Sequence, residues 1–188
     1  WKDGKEDFSS RMERFNQTMT QQIDTLSDIA TEFSNFARLN KSNPEKIELV
    51  EDLKNCIKLF DGGSIDIQFS SSNSNAEILI DKTHFNRIFT NLITNAIEAI
   101  AEGVAGQLKI VVAVQENEIY ISLSDNGVGI EREKLDRIFE PNFTTKSTGT
   151  GLGLAMVKGM LDAATATIAV TSLAGEGTTF TLSFPKIT

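Results

Sequence analysis

The chain has 188 residues, 40% of them hydrophobic and 23% charged, room for one good-sized domain plus something smaller. Its formal net charge of -8 argues against a nucleic-acid-binding surface, whose usual footprint is basic. No apolar run approaches the length of a membrane span, the opening "WKDGKEDFSS" is no signal peptide, and the single cysteine, Cys56, allows no internal disulfide.

From Phe8 to Leu39 the pattern is helical. Met12, Met19, Leu26 and Phe33 recur every seven residues, and Phe8, Phe15, Gln22, Ile29 and Phe36 form a second such series. Ile23, Ala30 and Ala37 widen the stripe into a seam about four heptads long. Such a helix packs against other helices, either a partner absent from this chain or a second copy of itself. Packing on the following domain stays open. "LNKSNPEK" breaks the periodicity, which places a boundary between residues 1–43 and 44–188.

Beyond the boundary, "IELVEDLKNCIKLF" reads as a short strand running into a helix. "GGSIDIQFSSS" and "AEILI" read as strands. Asp81 to Glu102 forms a long helix, stopped by Gly103 and Gly106. "QLKIVVAVQ" and "EIYISLSD" form an antiparallel pair, "REKLDRIF" a short helix and "LGLAMVKGMLDAA" a longer one. "ATIAVTSLAGEGTTFTLSFP" closes the chain as a hairpin. Strands and helices without a regular βαβ repeat predict an α+β fold, one sheet against one layer of helices.

Four local features carry chemistry. Asn91 and Asn95 stand four residues apart, at the edge of the buried stripe of the long helix. Asparagine is a poor helix former, and its oxygen is a hard, neutral ligand of the kind magnesium accepts; ordinary polar edge residues would also fit. In "SDNGVGI", Asp125 ends a strand and is followed by Gly127 and Gly129. A carboxylate there can accept a hydrogen bond from the amine of adenine, although an Asp-Asn-Gly turn has the same look. In "TTKSTGTGLGLAMVKGM", Gly149, Gly151 and Gly153 lead into a helix whose open N–H groups favour an anion, with Lys146 placed to add charge. A dinucleotide fold is excluded because no buried strand precedes the glycines. The fourth feature, "GEGTTF", is explained by a hairpin turn.

In this order and spacing the features resemble the catalytic ATP-binding domain of bacterial sensor histidine kinases, of the gyrase, Hsp90 and MutL superfamily. The resemblance covers Ile47 to about Pro185: "NRIFTNLITNAIEA" matches the N box, "DNGVGI" the G1 box, "RIFEPNFTTK" the F box, "GTGLGLAMV" the G2 box and "GEGTTFTLSFP" the G3 region. "NAIEAI" is most similar to the nitrogen-regulation sensor kinases. The resemblance implies the Bergerat fold, a two-layer sandwich of a mixed, mostly antiparallel sheet against helices, with ATP and Mg2+ as ligands. It implies Asn95 as the magnesium ligand and Asn91 as the neighbouring polar position. Asp125 matches the adenine reader and Gly127 and Gly129 the turn beneath the base. Phe139 and Phe143 match the base of a lid spanning 141–150, whose composition predicts mobility. Lys146 matches a lid position that reaches the phosphates; Gly149, Gly151, Leu152 and Gly153 match the hinge and phosphate-facing backbone. Thr178 falls where the family holds a water beside Asp125. Two positions depart: Glu98 stands where many members have lysine, and "DAATATI" replaces a usual His-Gly-Gly.

Position 91 bears on the reaction. ATP-hydrolysing relatives place a glutamate there as general base, whereas an amide has no useful basicity. Mg-ATP held without such a base favours phosphoryl transfer to a nucleophile brought from outside, with Asn91 and Lys146 as the groups nearest the transfer. An ATP-hydrolysing or serine-kinase member of the superfamily, and a non-catalytic dimeric regulator, are the alternatives. The family's acceptor histidine lies in a pattern this chain does not contain. Its one histidine, His84, is expected in the place of a surface residue. The chain therefore reads as a piece of a longer kinase, starting on Trp1 after the acceptor helix and keeping the second dimerisation helix. The expected partners are a second copy, through the acceptor-domain helices, and a cognate response regulator. The expected location is the cytoplasmic portion of a sensor whose membrane contact lies upstream.

Overall fold

A computed structural model describes residues 8–37, 42–63, 65–146 and 149–187, some side chains within 8–37 excepted. The chain divides into two compact units, Trp1–Arg38 and Leu39–Thr188. The first contains one helix, α1 (Phe8–Ala37). Its residues Phe8, Met12, Phe15, Met19, Ile23 and Leu26 are all exposed, three or four positions apart and hence on one stripe. The seam side chains of Ile29, Ala30, Phe33, Phe36 and Ala37 lie outside the described residues, as does the linker at 38–41.

The second unit runs β1 (Glu45–Glu48), α2 (Leu49–Ile57), β2 (Ile65–Ser71), β3 (Glu77–Ile80), α3 (Lys82–Ala99), β4 (Gly106–Val114), β5 (Glu118–Asp125), α4 (Gly153–Ala163), β6 (Thr167–Leu173) and β7 (Gly177–Pro185). Five strands form one sheet in the order β2-β4-β5-β7-β6. Only β2 and β4 run parallel in it; the other three pairings are antiparallel. Alternation sets the layering. Ile110, Leu123 and Phe180 stand opposite one another across β4, β5 and β7, all buried, because every second side chain of a strand faces the same way. α3 packs on β4, β5 and β7, and α4 packs on α3 and β6. The mixed sheet against a helix layer agrees with the sequence pattern.

The helix α3 explains the position of the site. Asp81 caps its start, accepting from the N–H groups of Thr83 at 2.8 Å and His84 at 3.2 Å, and from Asn43 at 2.9 Å. Burial is the largest single influence on the Asp81 carboxyl and raises it, but these three backbone donors and the neighbouring His84 together outweigh it and hold the group below its ordinary value. Phe85, Ile88, Phe89, Leu92, Ile93 and Ala96 fill the core, leaving Asn91, Asn95 and Glu98 on the flank.

Four details differ from the sequence reading. β3 does not join the main sheet but pairs antiparallel with β1 in a two-stranded ribbon. α3 stops at Ala99, before the glycines, because Ile100 is extended and the Ala99 carbonyl accepts the Val128 N–H at 2.8 Å. The segment after the G1 loop forms a 3₁₀ turn over Arg132–Arg137. His84 is buried, not a surface residue, at 7% exposure. It stands four positions before Ile88 and eight before Leu92, in line with the apolar stripe, and its Nδ1 has no hydrogen-bond partner among the described residues.

Candidate active site

Two clusters flank the last turns of α3. In the first, Asn91 donates its side-chain N–H to the Arg87 carbonyl at 3.0 Å, which turns its oxygen outward. That oxygen faces the start of α4, where a Cβ on Gly153 would stand 2.7 Å from it. Glycine at 153 is what allows the two helices to meet there. One turn further on, Asn95 Oδ1 accepts from Lys146 Nζ at 3.1 Å, and the same ammonium bonds Glu98 Oε2. Asn95 and Glu98 are three positions apart and share a helix face.

The loop carrying Lys146 leaves and returns through a narrow base. The Asn142 N–H bonds the Gly151 carbonyl at 3.0 Å. Gly151 has φ +69, and a Cβ there would meet Asn142 and Phe143 backbone within 2.8 Å. Gly149 lies against Thr144, where a Cβ would stand 2.7 Å from Oγ1. The Arg137 guanidinium lies 4.6 Å from the Phe143 ring centre and the Lys158 ammonium 5.9 Å from that of Phe139, so both phenylalanines are held at the loop base by cation–π contact. Residues 147 and 148 lie outside the described set. Leu152 turns its side chain into the core at 6% exposure, leaving only backbone for a ligand. Among the described residues no side chain caps α4, so its first-turn N–H groups are free to meet an anion.

In the second cluster Asp125, half-buried at the end of β5, accepts from the N–H groups of Gly127 at 2.9 Å and Thr178 at 3.2 Å. Burial nonetheless raises its carboxyl above the ordinary value, the two backbone donors offsetting only part of the effect. Gly127 presses on the end of α3, where a Cβ would stand 2.7 Å from Ala99 Cβ. Ala99 follows Asn95 by four residues, about 6 Å along the axis, so this contact brings the Asp125 loop alongside the asparagine turn. Gly129, at φ +68, crosses the hairpin so closely that a Cβ would lie 2.1 Å from the Leu173 carbonyl. The hydroxyl of Thr178 is 3.0 Å from that of Ser172.

The candidate binding residues named from the sequence thus fall into these clusters or the loop between them. Ser172 and Glu98 join them. Ser172 accepts the Ile130 N–H at 2.8 Å and donates to the Gly177 carbonyl at 2.7 Å, tying the Asp125 loop to the β6–β7 hairpin; nothing in the sequence marks this serine. Glu98 did carry a signal, its helical spacing from Asn95. A cavity of about 610 Å³ opens beside the second cluster, lined by Ile130, Leu135, Val170, Ser172 and Leu173 among others. Its polar lining comes from Glu131, Arg132, Glu133 and Thr171, and it touches neither Asp125 nor the asparagines.

The chemistry of the clusters suits a magnesium nucleotide. Asn95 offers a neutral oxygen at which a cation, the Lys146 ammonium, already stands. Asp125 offers a fixed acceptor for a base amine, and the start of α4 offers N–H groups for phosphate.

Residues 80–188 match the family model described as "Histidine kinase-, DNA gyrase B-, and HSP90-like ATPase". The sensor histidine kinase ZraS of Escherichia coli (strain K12) is 34% identical over 173 residues, covering 90% of this chain and 37% of that protein. The chain therefore spans little more than a third of that relative's length. Among solved structures, the nucleotide-free catalytic domain of histidine kinase ThkA matches with a TM-score of 0.69 and 29% identity, covering 77% of this chain and 96% of that one. ThkA in complex with the response regulator protein TrrA matches with a TM-score of 0.76 over 98% of this chain and 53% of that one, at 22% identity, a likeness of fold.

Proposed function

Because this chain belongs to the histidine kinase-, DNA gyrase B- and HSP90-like ATPase family, as an ATP-binding domain of the sensor histidine kinase kind, we propose that it holds Mg-ATP for phosphoryl transfer. The acceptor is a histidine on a dimerisation helix, outside these 188 residues, in two-component signalling. In this reading Asn95 holds the metal, Asp125 reads the adenine amine, and α4 with Gly149, Gly151 and Gly153 receives the phosphates. Held by Asn95, Mg2+ would supply positive charge against that developing on the phosphates during transfer. Lys146 swings from Asn95 towards the transferred group, and Asn91 orients without taking a proton.

One observation carries the choice of transfer over hydrolysis. Asn91, at the position of the hydrolytic base, is an amide already engaged with the Arg87 carbonyl and facing Gly153, so it cannot activate water. His84 supports an external acceptor, since it is buried in the α3 stripe and away from both clusters' hydrogen bonds. The exposed stripe of α1 supports dimerisation through the acceptor-domain helices, residues 1–43 belonging to that domain and 44–188 to the ATP-binding one. A response regulator is the partner in this reading, which the solved complex of ThkA with the response regulator protein TrrA supports. Among the described residues no helix is long and apolar enough to cross a membrane; we place this portion on the cytoplasmic side, with any anchor carried by other segments.

The test is radiolabelled ATP with the purified chain, alone and with an added acceptor-helix domain. Label should enter only the added domain. Label in the chain itself, or steady release of phosphate, would overturn the proposal.

A further inference from the structure

We propose that Asn95 and Glu98 together form a two-oxygen seat for the nucleotide's divalent cation, and that the Lys146 ammonium is its place-holder. The inference rests on the nucleotide-binding reading above and assigns Glu98, a residue with no role there. Three observations support it. The Asn95 amide oxygen and the Glu98 carboxylate converge on one point, because a single ammonium bonds both. That point already suits a positive charge. Neither residue is locked in place: Glu98 and Lys146 keep 50% and 37% of their side-chain exposure, so the lysine can leave and the carboxylate can close in.

The geometry requires such closure. Magnesium holds oxygen at about 2.0–2.1 Å, roughly 1 Å nearer than an ammonium does, and keeps most of its remaining positions for water and phosphate. A neutral amide alone gives a weak charge complement; the carboxylate supplies it. Among the described residues no three His, Cys, Asp or Glu side chains could hold a metal by themselves. The seat is therefore completed only by phosphate oxygens, and its metal affinity depends on nucleotide. The helix provides the negative group, and the loop brings the positive one. Metal arrival and lysine release become one exchange: the cation takes the seat, and Lys146 is freed towards the phosphates.

The experiment is calorimetric titration of the 188-residue chain with ADP, with and without Mg2+, and Mn2+ paramagnetic resonance of the ADP mixture. The wild-type chain should bind ADP more tightly with metal. Glu98→Gln should keep metal-free ADP binding and lower the metal-dependent gain about tenfold, with a matching loss of bound Mn2+. Lys146→Ala should weaken metal-free binding yet enlarge the gain, since the place-holder is gone. ADP binding with an unaltered metal gain in Glu98→Gln overturns the seat alone. No ADP binding by the wild-type chain under either condition overturns the nucleotide reading and the seat with it. Glu98 is half-exposed, so the variant should fold, and a thermal melt coincident with wild type confirms that.

Discussion

At the Asp125 end of the site the carboxylate is fixed by backbone. It accepts two main-chain N–H groups; its loop touches its neighbours through Gly127 and Gly129, and Gly177 of β7 closes on the Asp125 main-chain carbonyl, all at distances where a Cβ would collide. At the Lys146 end the contacts are side chain to side chain, between long and partly exposed groups. Backbone contacts at close range leave one arrangement, whereas an exposed ion pair is held weakly and can be exchanged. The first end is preorganised for recognition, and the second is free to rearrange when charge arrives. The nucleotide site proposed above would draw on both.

Changes at the rigid end should break the protein or the recognition. Asp125→Asn should cost at least a hundredfold in ADP affinity, about 2.7 kcal/mol or more, measured by calorimetry. Gly177→Ala should destabilise the fold by about 2–3 kcal/mol in urea unfolding, because the residue sits at φ +110 and its Cβ would stand 2.0 Å from the Asp125 carbonyl. Asp81→Ala, removing the cap that orients α3, should cost about 1 kcal/mol by the same measurement. Thr165 adopts φ +54, in the left-handed region that β-branched residues avoid. Thr165→Gly should accordingly gain about 0.5 kcal/mol, strain relief exceeding the added chain entropy.

Titration sharpens the contrast. Burial raises the Asp125 carboxyl, so its ionised form disfavours the fold at neutral pH. The penalty is relieved as pH falls through that raised value, because the folded chain takes the proton first. Asp125→Asn, which can still accept both N–H groups, should therefore melt slightly higher than wild type at pH 7. That advantage should vanish below the ordinary carboxylate range. A lower melting temperature for the variant at pH 7 would mean that the carboxylate stabilises the unliganded fold, making the rigid end structural rather than functional.

Much of this was legible beforehand, for identifiable reasons. Period-two alternation in β4, β5 and β7 and period-3.6 spacing in α3 and α4 are local properties, so the sheet and its covering helices could be read from the chain. Asn91 and Asn95 stood out because asparagine is a costly choice within a helix, and Asp125 and the glycines because of their places at a strand end and a helix start. The end of α3 was misread because Gly103 and Gly106 looked like the stop, while the real stop is a tertiary bond from Val128 to Ala99. Position 84 was misread because histidine near a helix start looks solvated, although its place in the stripe buries it. β3 was read only as a strand because pairing partners cannot be deduced from composition, and Ser172 escaped notice because its role comes wholly from the approach of another loop.

The parallel pairing of β2 with β4 has a consequence for how the molecule assembles. Ile65 meets Gly106 in that ladder, and the stretch between them contains the whole of α3. Closing so long a loop costs chain entropy before the ladder returns any stability, which makes the step slow and cooperative. The helix bearing both asparagines is enclosed in that step. The asparagine face and the sheet margin therefore form, and melt, as one unit.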